Sequence, residues 1–242
     1  MKHLGVVGVA AFALVAADRS HASLVQVRDA VGGEFANGNP GGPLLVGTGS
    51  TLNGSASNGS DGPLYVGTFD LEADYGGGFT SLITYCTEPN QNFLFGYNPP
   101  DSVGLTYQTD ALTNGHGFNL TEANYMQILW ANAFADSQTS AAKAAAFQSV
   151  VWEFTEDNSI NLTAGNFRLN PGDTYSNQVL GIAQGWINNI TGGTWTSAAN
   201  LIILTHPESQ DYLAEVVVPG PGAGVAFLGG LMAIGRRRRR TS

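Results

Sequence analysis

AAAFQSVVWEFTED, residues 144–157, decides how this chain is read. It is apolar nearly all round, the mark of a helix that lies inside a protein rather than on its surface. Ser137 to Ser140 just upstream supply candidate N-caps. Gln148 sits in the middle of the stretch. Helical spacing puts Ala144, Ala145, Val151 and Trp152 on its face. A buried carboxamide there has two donors and an acceptor that must find partners, or it costs stability.

On either side the pattern continues as helix. Thr121 is a candidate N-cap for EANYMQILWANAFA, and Asp173 or Thr174 for YSNQVLGIAQGWINNI. Further out it becomes strand. YVGTFDLEAD alternates, with Val66, Thr68, Asp70, Glu72 and Asp74 on one face and Phe69 and Leu71 on the other. FTSLITYC (79–86), NFLFGY, VGLTYQT, NLIILTH and QDYLAEVVV are further strand candidates. Residues 32–62, rich in Gly, Asn, Ser and Pro, read as a long loop or paired turns. Strands, then helices, then strands predict an α+β fold, a mostly antiparallel sheet or sandwich with a helical insertion. The expected divisions are 1–22, 23–63 (the Gly/Asn/Ser-rich segment), 64–217 (the folded domain) and 218–242.

The two ends differ from the middle. Lys2, the apolar run LGVVGVAAFALVAA, and Ser20 and Ala22 at the −3 and −1 positions have the form of a secretory signal peptide cut after Ala22. The other end reads VVVPGPGAGVAFLGGLMAIGRRRRRTS. Its apolar run, Gly222 to Gly235, is 14 residues long, short for a spanning helix, and is followed by Arg236, Arg237, Arg238, Arg239 and Arg240. An arginine cluster placed there is held on the cytoplasmic side of a membrane. Between the ends only Arg28, Lys143 and Arg168 are basic, against 18 acidic residues, a net charge of −15. That balance argues against nucleic acid or an anionic membrane surface as partner. Low charge (12%) and 32 glycines also favour an extracellular, loop-rich protein.

Catalytic signatures are missing. The sequence has no Gly-x-Ser-x-Gly elbow, no phosphate-binding glycine loop and no zinc-type histidine spacing around His116 and His206. Asp70-x-Glu72-x-Asp74 resembles the start of a calcium loop, but its glycine is misplaced and Ser81 stands where the distal glutamate belongs. The motifs therefore point to no cofactor and no metal. The single cysteine, Cys86, has no partner for an intrachain disulfide. A thiol and a carboxamide can condense, with loss of ammonia, to an internal thioester. Cys86 and Gln148, 62 residues apart, are the candidates, with Tyr85, Phe147 and Trp152 to shield the bond and Glu88 or Tyr85 to support it by hydrogen bonding. A core cysteine beside a hydrogen-bonded glutamine is the other reading of the same residues.

Tyr85-Cys86-Thr87-Glu88, followed by Phe147-Gln148-Ser149-Val150-Val151-Trp152, resembles the thioester-domain family of bacterial surface proteins. That family carries Tyr-Cys with an acidic residue soon after, then Gln-x-Ala-[Ile/Val]-Trp on a helix. Val150 stands here in place of alanine, and Phe147 where adhesins often have threonine. The resemblance spans about residues 80–217. It implies a Cys86–Gln148 thioester that bonds covalently to an amine or hydroxyl group. The C-terminus resembles a PEP-CTERM sorting signal, Val218-Pro219-Gly220-Pro221 with Gly220 replacing the usual glutamate. This implies an exosortase-type processing enzyme as partner, transient inner-membrane anchoring, and delivery to the cell surface or a polysaccharide matrix.

The resulting expectation is an exported surface or matrix protein that reacts once per molecule and is not an enzyme. A structural, unreactive matrix protein of the same fold is the alternative. A secreted hydrolase ranks third.

Overall fold

The structure, a computed structural model, describes residues 24–29, 49–55, 62–91, 104–115, 118–157, 160–170 and 172–216. The signal-peptide and sorting-signal expectations, the NFLFGY strand and His116 lie outside the described residues.

Six strands form one antiparallel sheet in the order β5-β4-β1-β6-β8-β9: β1 (Leu24–Asp29), β4 (Phe69–Asp74), β5 (Thr80–Thr84), β6 (Leu105–Ala111), β8 (Leu201–Thr205) and β9 (Tyr212–Glu215). The two edges nearly meet. Just past β5 the chain bridges to β9 at Cys86↔Tyr212, through Thr87 N–H to Asp211 C=O at 2.9 Å and Leu213 N–H to Tyr85 C=O at 3.1 Å. The sheet thereby curls almost into a ring, which leaves little edge open to stray pairing. A second sheet, in the order β3-β2-β7, holds β2 (Gly49–Ser55), β3 (Gly62–Gly67) and β7 (Arg168–Leu169).

Among the described residues four helices, α1 (Leu112–Gly115), α2 (Leu120–Ser137), α3 (Ala141–Glu156) and α4 (Thr174–Thr191), come between β6 and β8. Because β6 and β8 are neighbours in the sheet, the whole stretch is an excursion between adjacent strands. The expected mixture of helix and antiparallel sheet is present. α3 lies at the centre, packed on α2, α4, β2 and β3. Ala144, Ala145 and Ala146 are fully buried, and their small side chains let its neighbours approach closely.

Several local readings are corrected. YVGTFDLEAD is not one strand: it breaks at Thr68, and β3 and β4 belong to different sheets. Its alternation survives within β4, where Phe69, Leu71 and Ala73 are buried. Residues 49–55 are not loop but β2, paired along its length with β3. The cap of α2 is Asn119, not Thr121. Its side chain accepts from the N–H groups of Thr121 and Glu122, while the Glu122 carboxylate accepts from Asn119 N–H, a complete capping box. Ser140 caps α3 and Asp173 caps α4. The Asp70/Glu72/Asp74 face is used structurally. Glu72 pairs with Arg28 at 2.7 Å, and Asp74 accepts from the N–H groups of Gly76, Gly77 and Gly78. Gly76 and Gly78 have φ of +98° and +100°, which favours glycine at both positions of this turn.

Candidate functional site

Cys86 sits at the seam where the sheet nearly closes, and its position there follows from strand geometry. Cys86 and Tyr212 form a bridge whose hydrogen bonds belong to the flanking residues, so the N–H and C=O of Cys86 point away from β9. On that side β4 offers nothing, because its register with β5 ends at Phe69↔Thr84. Gln148 of α3 fills the gap. Its Oε1 accepts from Cys86 N–H at 3.3 Å and its Nε2 donates to Cys86 C=O at 2.7 Å. The carboxamide thus stands in for a missing strand. Sequence reasoning left open an unpaired carboxamide; the structure gives it partners on both ends.

The same arrangement brings the thiol to the carboxamide. Cys86 Sγ lies 3.7 Å from Gln148 Oε1. Cys86 is 1% exposed and Gln148 0%, so water is largely kept from both. Burial pushes the Cys86 thiol up to about 12. Against it work the indole N–H of Trp152 and the backbone N–H groups of Cys86 and Glu88, while the charge of Glu88 adds to the rise.

The other candidates surround the pair in different ways. Tyr85 points away from the sulfur into an aromatic cluster. It stacks on Phe147 at 4.3 Å and meets Trp130 and Phe134 edge-on. Its hydroxyl donates to Ser137 at 2.7 Å, so it supports the site through its ring and not by a hydrogen bond at the carboxamide. Phe147 also touches Trp130, Phe134 and Trp186 edge-on. Together Tyr85 and Phe147 lock the residue before Cys86 to the residue before Gln148. Glu88 lies half-buried two residues beyond Cys86, and its C=O accepts from Gln210 Nε2 at 3.3 Å. Trp152 is 3% exposed, one turn beyond Gln148 on the same face of α3. Val150, where the resembled family has alanine, is fully buried.

Glu153 was missed by sequence reasoning, although it stands in the opening stretch among apolar residues. It is fully buried, and one carboxyl oxygen accepts from Asn161 N–H while the other has no partner. Burial raises its pKa to about 8; the Asn161 N–H works against the rise and the Asp157 charge adds to it. The folded protein therefore takes up a proton that the unfolded chain does not hold, between the ordinary value of 4.5 and about 8. Stability is expected to fall as pH rises through that window, by up to about 1.4 kcal/mol for each pH unit. Glu153→Gln should flatten the dependence. Urea midpoints across the window check this, and a slope unchanged in the variant would assign the effect to another group.

Among the described residues no cluster of His, Cys, Asp and Glu forms a metal-binding group, and no helix is long and apolar enough to cross a membrane. No protein-family model, curated protein or solved structure matches this chain.

Proposed function

We propose that this is an exported cell-surface or extracellular-matrix protein whose core carries a Cys86–Gln148 thioester for covalent attachment to amine or hydroxyl groups. The observation that carries the reading is the burial of the thiol against the carboxamide, 3.7 Å from Sγ to Oε1, across 62 residues of sequence. Sγ bonds to the side-chain carbonyl carbon of Gln148, the carbon–nitrogen bond breaks, and the thiol proton leaves with nitrogen as ammonia. Charge that develops on Oε1 meets Cys86 N–H, already directed at it. The dry surroundings protect the product from hydrolysis. A later amine or hydroxyl takes the acyl group once, so the chain acts as a single-use coupling protein and not as an enzyme.

The paired terminal signals support export, transient inner-membrane anchoring, processing by an exosortase-type enzyme, and delivery to the surface or a polysaccharide matrix. Pro219, Pro221 and the five arginines would be read by that enzyme. One observation favours the structural alternative: the intact carboxamide already satisfies both main-chain groups of Cys86. In that case the pair is a strand substitute and nothing more.

Intact mass of the secreted form separates the two. The expected product begins near Ser23, ends near Pro219 to Pro221, and is lighter than its sequence by one ammonia. A full-mass core with an alkylatable thiol would leave the structural alternative. Retention of Arg236 to Arg240 in surface-associated material would overturn the sorting role.

A further inference from the structure

The thioester reading leaves one group at the site without a task. The indole Nε1 of Trp152 is a buried side-chain donor with no hydrogen-bond partner. Leaving such a group unpaired costs stability, so its retention beside a reactive pair calls for a physical reason. It stands one turn from Gln148 on the face of α3 that meets Cys86, and with the backbone N–H of Glu88 it favours the thiolate form of that cysteine. A thioester sulfur is a weak acceptor, whereas a thiolate is a strong one. Donors aimed at the sulfur therefore gain most when the carbon–sulfur bond breaks.

We propose that Trp152 Nε1–H and the Glu88 backbone N–H form a receiving site for the Cys86 thiolate, and that Trp152 is a catalytic residue for opening the thioester. This rests on the thioester reading. In the step, the nitrogen of a primary amine bonds to the Gln148 side-chain carbonyl carbon, and charge passes onto Oε1, which Cys86 N–H holds. The carbon–sulfur bond then breaks and its electron pair leaves with Sγ. The indole N–H meets that charge as it develops. The proton shed by the amine ends on the sulfur, giving a secondary amide on Gln148 and a free Cys86 thiol. No oxidant or other co-reactant is needed.

Burial and donor work in opposite directions at this sulfur. The dry pocket makes the thiolate a poor leaving group, which guards the bond against casual nucleophiles. The indole N–H lowers that barrier from inside the protein, where bulk water cannot substitute for it. Trp152 lies one turn from Gln148 on the same helix, so a single rigid element carries both the acyl carbon and the donor that releases it.

The test is Trp152→Phe in the full chain, with methylamine as nucleophile. Intact mass first reports whether wild type and variant have lost ammonia. Bond opening is expected to slow roughly 10–100-fold in the variant, the size of a lost hydrogen bond to a charged group. Ammonia loss in both proteins with equal opening rates would overturn the role of Trp152 and leave the thioester standing. No ammonia loss in wild type would overturn the thioester itself. A second pair isolates the donor from the bond. Cys86 alkylation rates are compared in Gln148→Ala with and without Trp152→Phe; slower alkylation with phenylalanine supports the receiving site, and equal rates overturn it. Should Trp152→Phe fail to fold, the nitrogen-labelled indole resonance of wild-type Trp152 is followed during opening by methylamine. A downfield shift is expected, and an unmoved resonance overturns the proposal.

Discussion

Cys86→Ala is expected to abolish methylamine incorporation at Gln148 completely while leaving the fold intact. The substitution removes one buried sulfur, a loss of about 1 kcal/mol, and leaves the main-chain pairing between Cys86 and Gln148 in place. Gln148→Ala should abolish incorporation as well, but at a much larger cost in stability. It strands the N–H and C=O of residue 86 in a site that water does not reach, at about 1–3 kcal/mol for each group. Mass spectrometry after methylamine treatment and urea denaturation check both halves. Undiminished labelling in Cys86→Ala would refute the thioester. Equal stability of the two variants would refute the role of Gln148 as a substitute for the absent strand.

The largest loss of stability is expected from Phe147→Ala, about 3–5 kcal/mol. Phe147 is fully buried and touches Tyr85, Trp130, Phe134 and Trp186. These come from three separate parts of the chain, the end of β5, α2 and α4, so no small local shift can refill the space. The effect should reach the site. The stack between Tyr85 and Phe147 sets the strand end against α3, so a larger share of molecules should retain their ammonia and a free thiol. Urea denaturation gives the first number and intact mass the second. A variant as stable as wild type would mean that the aromatic cluster does not set this register.

The sequence made some of this legible and hid the rest for physical reasons. Residues 144–157 announced a buried helix because no polar face could be drawn on them, and α3 is buried almost throughout. The pairing of Cys86 with Gln148 was suggested by chemistry: one cysteine and one misplaced carboxamide. The way Gln148 is satisfied was not legible. It depends on β4 beginning at Phe69, so that nothing lies beside Cys86, and that is a matter of register rather than composition. β2 was hidden because GSTLNGS has few strand-forming side chains and is held by pairing with β3. The split between β3 and β4 was hidden because alternation runs unbroken through Thr68, although the chain changes sheets there. Thr121 drew attention as a cap, but Asn119 two residues earlier completes the box with Glu122. Glu153 was in plain view and carried the strongest signal overlooked, a carboxylate inside an apolar helix.

The central placement of α3 has a mechanical consequence. An adduct formed at Gln148 would be tethered to the middle of an internal helix, braced by α2, α4 and the smaller sheet, and not to a loose terminus. A pull on the captured molecule would load that helix near its midpoint. Its two ends, capped at Ser140 and continuing into the segment that Asp157 ties down through Asn166 N–H and Phe167 N–H, would share the load. Detachment would then require shearing a packed helix out of its neighbours, because peeling from one end is not available to a force applied at the centre. A tether of that kind would resist flow without needing a high-affinity binding surface.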